Sequence, residues 1–543
     1  MSIQPPHTAS RFRLNGRVCA PRLRILACGL ALAAAASVQA ASGTWLGGTS
    51  ADWNDPANWV GGNLPNGVTD IATFNANRTF DNPTIGSNVS VQRLDILSGS
   101  QATSISTSGG ALFVSGSTMG ANTFVVGNGA ANVIDVDTTY AYLSSIMTVT
   151  GSSSLTFAAG RTLTMISGSS SFFSSVAGGG TVTIESALVY NVQSNAGRTF
   201  NVTNGTLNFN PTSITSGNGF TATRMQVAGG NAVGQQATLN LQRSLTASEV
   251  ATIGVGDNNN ISLSTLRLDG NGLNVASSLS LVAFGSGTGT RVTTIALDRA
   301  GTNAGTFSGN LAISASTANV GTVAFSAGTN DTLTFSGSLN TGFGANYILQ
   351  KTGDGTVVFS GSTSNVFGSA IAVNAGTLLL QKTGGATAVN TSVTVNTSAE
   401  IQLGAANQIA NSSALTLAGG SFDANGLSDT LGALVVNGIG SGIDFGTGTS
   451  ILGFASGSYT AGTLTIYGWN SGTDSWRFLS DPTAFVNALG TNLVFDGFGS
   501  GGSVVDLGGG TWEVVAVPEP GTMALLLAGS SLTIVMVLRR RNR

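Results

Sequence analysis

The chain has 543 residues, of which 76 are Gly, 8 % are charged and 7 % are aromatic, with a formal net charge of −3. An average soluble domain is about 25 % charged, so this composition excludes a charged disordered tail or a strongly acidic or basic arm, while 41 % apolar residues suffice for a core. The only His is His7 and the only Cys are Cys19 and Cys28, so the chain beyond residue 40 has no material for His-dependent triads, thiol nucleophiles, His or Cys metal sites, or disulfides.

At the start, Arg11, Arg13, Arg17, Arg22 and Arg24 precede a mostly apolar run from Ile25 to Ala36. Val38-Gln39-Ala40 then places small residues three and one before a cut. That order predicts a secretory signal peptide over 1–40, cleaved after Ala40. The run is too short to span a bilayer. It also lies mostly after Cys28, which argues against a lipoprotein site.

Residues 41–84 carry half of the six Trp: Trp45, Trp53 and Trp59. One reading is a cap that covers the open edge of the first β-layer. The other is a sugar-stacking surface, since indole offers a flat apolar face with one polar handle, and these three residues are then the ligand contacts.

From 85 to 515 short apolar alternations follow one another, as in Gly205-Thr-Leu-Asn-Phe-Asn210, Ala237-Thr-Leu-Asn-Leu-Gln242 and Asp331-Thr-Leu-Thr-Phe-Ser336. Period-2 alternation over about five residues is the strand signal. Such strands bury too few side chains to stand alone, whereas stacked in register they bury a continuous column. The expected fold is all-β, a parallel β-helix. Coils of two or three strands and roughly 20–25 residues would give roughly 17–21 coils and a rod ~80–100 Å long. Gly and Asn suit its corners, and Asn at equivalent corners can form hydrogen-bonded ladders. A row of antiparallel β-sandwiches is the alternative, but no linkers separate the cores it would need. One helix is expected near Asp481-Pro-Thr-Ala-Phe-Val-Asn-Ala-Leu489, with Asp481 as N-cap and Pro482 at the first position.

The segment Leu349-Gln-Lys-Thr-Gly-Asp-Gly-Thr-Val-Val-Phe-Ser-Gly361, with Val373-Asn-Ala-Gly-Thr-Leu-Leu-Leu380 after it, resembles the autotransporter-associated β-strand repeat, and the style continues to about 440. The resemblance implies a parallel β-helix displayed at a bacterial surface. An autotransporter also needs a C-terminal barrel of many short strands, and this sequence ends instead in an apolar run and an Arg cluster. A translocator on a separate chain is the remaining way to such an adhesin.

Catalysis on such a fold would fall to carboxylates, as in a polysaccharide lyase or glycosidase. Asp135 and Asp137 would share one face if Val136 lies in a strand, and Asp269 and Asp298 each end a strand-like run. Ordinary turn Asp is the competing reading, and no catalytic residue, metal ligand or cofactor is assigned. No Gly-Lys-[Ser/Thr] ending of a phosphate loop occurs, nor a tandem Gly-Gly-x-Gly-x-Asp calcium nonapeptide. Between residues 41 and 538 there are 12 basic and 24 acidic residues, which leaves little material for a basic face, so no nucleic-acid partner is expected.

The end reads Pro518-Glu519-Pro520, an apolar run from Met523 to Leu538, then Arg539, Arg540, Arg541, Asn542 and Arg543. Residues 523–538 predict one transmembrane helix, slightly short, with Arg snorkelling on the cytoplasmic side. This three-part order over 516–543 resembles the PEP-CTERM sorting signal of Gram-negative bacteria. The resemblance implies an exosortase as processing partner, with Pro518, Glu519 and Pro520 as the processing site. It also implies anchoring in the inner membrane before processing, then a place at the cell surface or in the extracellular matrix beside exopolysaccharide. Taken together, the sequence leads to a non-enzymatic exported surface or matrix protein, with a carbohydrate-active β-helix enzyme as the alternative.

Overall fold

The computed structural model describes residues 41–517, apart from 76–79, 81, 98–100, 117–121, 142–144, 168–171, 193–198, 217–223, 228–234, 257–262, 283–291, 315–320 and 342–346. The signal peptide with Ala40, the processing motif Pro518, Glu519 and Pro520, the helix expected over 523–538, and Arg539, Arg540 and Arg541 all lie outside the described residues. Among the described residues no helix is long and apolar enough to cross a membrane.

The described chain winds as a succession of short strands into a parallel β-solenoid of about 15 turns. Each turn in the N-terminal half contributes three strands, one to each side. One circuit runs Asn122–Val126 on the first side, Ala131–Asp135 on the second and Thr138–Ala141 on the third, and Ser145–Val149 then returns to the first. The first side is a 12-stranded sheet from Gly43–Thr44 to Leu339–Thr341, and the third begins as a six-stranded sheet from Val89–Val91 to Ile214–Ser216. Pairing between successive coils is parallel and in register, as in Leu207↔Leu239 and Leu239↔Leu266. The alternative of separate sandwiches is therefore excluded, because the stack passes from coil to coil without a break.

The coils are fewer and longer than the strand pattern suggests. Partners stand 22 residues apart at Ile71↔Arg93 but 32 apart at Leu279↔Leu311. Polar connections between sides vary in length, and a pattern of strand onsets does not register them. The region resembling a known repeat is the most uniform: Leu349, Ile371, Val393 and Leu415 follow at steps of 22. The sheet also starts earlier than expected, since Gly43–Thr44 pairs with Ile71–Phe74 inside the Trp-rich segment.

Inward positions form columns along the axis. On the second side one column reads Leu155, Val182, Leu207, Leu239, Leu266, Ile295, Phe325, Lys351, Val373, Val395, Leu417 and Val436 by register. On the third side Phe307, Phe335 and Phe359 are successive partners, with Phe307 and Phe335 stacked at 5.6 Å. Burial of these columns is the main cohesive term, at about 25 cal/mol per Å² of apolar surface. Corners and outer faces add ladders of amides, in which Asn240 donates to Asn208 and Asn396 to Asn374 at 2.9 and 2.7 Å. A second ladder is internal. Asn365, Gln408, Asp429 and Asp474, all buried, accept backbone N–H groups from neighbouring turns. Burial pushes the Asp429 carboxyl up to about 6, against N–H bonds from Ile409, Gln408 and Thr430.

The two ends are built differently from the middle. At the N-terminal end Trp45, Trp53 and Trp59 pack on one another and on Phe74. At the C-terminal end parallel pairing stops. Ser475–Phe478 takes Thr511–Ala516 as an antiparallel partner, and Thr511–Ala516 folds back on Gly502–Gly508 as a hairpin. The helix Thr483–Leu489 lays Phe485, Val486 and Leu489 on the last turn, with Phe485 5.8 Å from Phe478. The expected helix is thus present, one residue later than its predicted cap. Pro482 occupies the N-cap position, and the Asp481 carboxylate accepts the Thr483 N–H at 2.9 Å.

Candidate functional site

The three indoles proposed as ligand contacts are 0–1 % exposed. Trp59 sits edge-on to Trp45 and Trp53, at 5.0 and 4.9 Å, and each indole N–H donates to a backbone carbonyl: Trp45 to Phe80, Trp53 to Pro65 and Trp59 to Trp53. Their flat faces are therefore packed against protein. A sugar could stack on them only after the cluster had opened.

Of the four Asp residues considered for catalysis, Asp135, Asp137 and Asp269 bond to neighbouring coils. Asp135 and Asp137 do share an outer face at the end of Ala131–Asp135, but Asp135 accepts Arg161 Nε at 2.6 Å and Asp137 accepts the Thr162 N–H at 2.8 Å, both from the next coil. Asp269 accepts Gln242 at 2.7 Å and Arg299 at 2.9 Å, one coil to either side. Asp298 follows the strand Val292–Leu297 and lies beside Gly328 of the following coil.

Lys351 is the most unusual side chain of the repeat-like segment. It stands in the apolar column between Phe325 and Val373 and is 1 % exposed. Its Nζ donates to the carbonyls of Gly353, Gly355 and Ala375 at 2.5, 2.5 and 2.6 Å. Burial lowers its pKa to about 8, with Asp354 acting weakly the other way. This geometry explains the surrounding motif. Gly353 has φ +75° and passes against the Ala327 carbonyl, and a side chain at Gly376 (φ +57°) would strike both the Gly355 carbonyl and Lys351 Nζ. Lys382, the only other lysine, is also 1 % exposed, donates to Ser360 at 2.7 Å, and is lowered to about 8 by burial.

Two hollows open on the outside of the C-terminal third. The first, about 510 Å³, lies on the third side over Thr377, Glu400 and Ser421, with Gly419, Gly420 and Ile439 at its wall. Glu400 pairs in register with Thr377 and Ser421, while Gln402, Asp423 and Asp444 form the next outward column. Burial first, then the Asp423 and Asp444 carboxylates, push the Glu400 carboxyl up from its ordinary value, against hydrogen bonds from Thr377 and Ser421. The second hollow, about 580 Å³, lies at the C-terminal end beneath the turn Ser471–Asp474. Sequence reading missed both, because each joins residues of ordinary type from several coils and no local spacing marks them. Among the described residues no group of three acidic, His or Cys side chains could hold a metal ion.

Set against protein-family models, curated proteins and solved structures, the chain matches none of them.

Proposed function

We propose that the protein is a non-enzymatic exported rod of the cell surface or extracellular matrix of a Gram-negative bacterium. It is led out by the signal ending at Ala40 and sorted by residues 518–543. In this reading an exosortase-type enzyme acts at Pro518, Glu519 and Pro520, and the helix over 523–538 holds the protein in the inner membrane until then. The observation that supports it is the unbroken parallel stack. Its carboxylates at Asp135, Asp137, Asp269 and Asp429 are bonded to neighbouring coils, as suits a structural rod. Polysaccharide association and adhesion are the tasks such a rod can perform without turnover. Deleting residues 518–543 is the test. Fractionation is expected to find the truncated protein no longer at the cell surface, with mass spectrometry of the full-length form placing its N-terminus at Ala41. Unchanged surface display of the deletion would overturn the sorting role.

A carbohydrate-active enzyme is the second reading, and one observation favours it. Glu400 lines an open hollow and is held toward its protonated form, with Asp423 and Asp444 in the next outward column, and an acid beside a carboxylate is the make-up glycosidases use. On the structural reading, a panel of plant, algal and bacterial polysaccharides gives no reducing ends or unsaturated products. Turnover abolished by Glu400→Gln or Asp423→Asn would replace that reading with the enzymatic one.

A further inference from the structure

The hollow at the C-terminal end has a distinct composition. One wall is aromatic. Trp469 packs edge-on against Phe495 and Phe498 at 5.1 and 5.5 Å, and both Trp469 and Phe498 line the space. Val515 and Ala516 of the final strand also line it. Trp469 is 8 % exposed, yet its indole Nε1 has no hydrogen-bond partner among the described residues. Trp476 Nε1 shares this lack, whereas the three N-terminal indole N–H groups are all bonded.

A second part of the lining is a polar relay across the antiparallel pair Arg477↔Glu513. Arg477 Nε donates to Ser475 Oγ at 2.8 Å, and Ser475 Oγ donates to Glu513 Oε1 at 2.5 Å. Among the described residues nothing else bonds to the terminal guanidinium nitrogens or to Glu513 Oε2. Asp474, also in the lining, is fully engaged, accepting the N–H groups of Ser450 and Asn470 at 2.8 Å each.

These features select one ligand chemistry. An apolar ligand would leave the terminal guanidinium nitrogens of Arg477 and Glu513 Oε2 unsatisfied. An anion would meet Arg477 but also two carboxylates, Asp474 and Glu513. A neutral polyhydroxyl ring fits both walls. Its C–H face can lie on the aromatic side, and adjacent hydroxyls can donate to Glu513 Oε2 while accepting from Arg477. The volume lies in the range of small-ligand sites and admits only a short stretch of a sugar chain.

We propose that this hollow is a binding site for a neutral hexose-type unit of a polysaccharide, held between the Trp469–Phe498 wall and the Arg477–Ser475–Glu513 relay. The proposal rests on the reading of the protein as a matrix component, whose contact with polysaccharide it localises to one end of the rod.

The test is titration of the full-length protein with neutral gluco-, manno- and galacto-trisaccharides and with trigalacturonate, followed by tryptophan fluorescence and calorimetry. At least one neutral trisaccharide is expected to bind and to shift the emission, with trigalacturonate at least ten-fold weaker. Glu513→Gln and Arg477→Gln should each weaken the neutral sugar at least ten-fold at an unchanged unfolding midpoint, and Trp469→Phe should abolish the emission shift. Should one of the relay variants not fold, the other relay variant and the Trp469 signal still decide the matter. No binding of any neutral trisaccharide, binding indifferent to Glu513 and Arg477, or preference for trigalacturonate would overturn the proposal. Its failure leaves the sorting experiment untouched, and failure of that experiment leaves this titration standing.

Discussion

Lys351→Met is expected to destabilise the central coils by about 3–5 kcal/mol, although methionine matches the apolar column better than lysine does. The carbonyls of Gly353, Gly355 and Ala375 converge on Nζ, and no neighbouring group can replace three donors at once. Removing the ammonium leaves buried acceptors unmade, which costs more than the hydrophobic gain returns. The pH dependence separates this account from simple repacking. Burial holds the folded pKa near 8, below its ordinary 10.5. A depressed pKa contributes stability that is fully present above the unfolded value and is lost as pH falls through the folded one. Stability should therefore rise from about pH 8 towards 10.5. In Lys351→Met roughly half of that rise should remain, the share of Lys382. Urea unfolding at pH 7, 8.5 and 10 measures both effects. A variant as stable as the parent at pH 7 would refute the role given to the three carbonyls.

Trp59→Ala should release the N-terminal end of the rod. Trp59 touches Trp45, Trp53 and Phe74, and its N–H is bonded to the Trp53 carbonyl at 2.8 Å. Truncating a buried Trp costs about 3–5 kcal/mol. In a stack held by nearest neighbours that loss falls on the first coils and fades inward. Hydrogen exchange should quicken strongly in Ile71–Phe74 and Arg93–Ile96 and hardly at all in Tyr347–Thr352. The bared edge should also make the variant associate in light scattering. Uniform protection along the rod would show that the indoles are not what covers this end.

How far the sequence could be read depended on the range of the interaction. Alternation in Asp331-Thr-Leu-Thr-Phe-Ser336 is a local property, and the strand Thr332–Phe335 follows from it. The helix at Thr483–Leu489 was likewise legible from Pro482 and the apolar spacing after it. Coil length was not legible, because the step from Leu279 to Leu311 depends on a connection with no packing signal. Lys351 read as part of a motif, but its place inside an apolar column follows only from register with Phe325 and Val373. The Asp candidates carried the right chemistry, yet neighbouring coils supplied Arg161 and Gln242 as partners, at separations of 26 and 27 residues. The C-terminal hollow was out of reach for the same reason. Arg477 and Glu513 face each other only because the final hairpin reverses the direction of pairing.

The burial of both lysines has a practical side. The exterior offers no side-chain primary amine, so ester and aldehyde reagents that join proteins through such groups can act on the folded rod only at its amino terminus. Lysine-directed proteases should cut it only after it has unfolded. Amine-directed coupling to a support would then attach the folded protein by that one end and leave the rest of its length uncoupled.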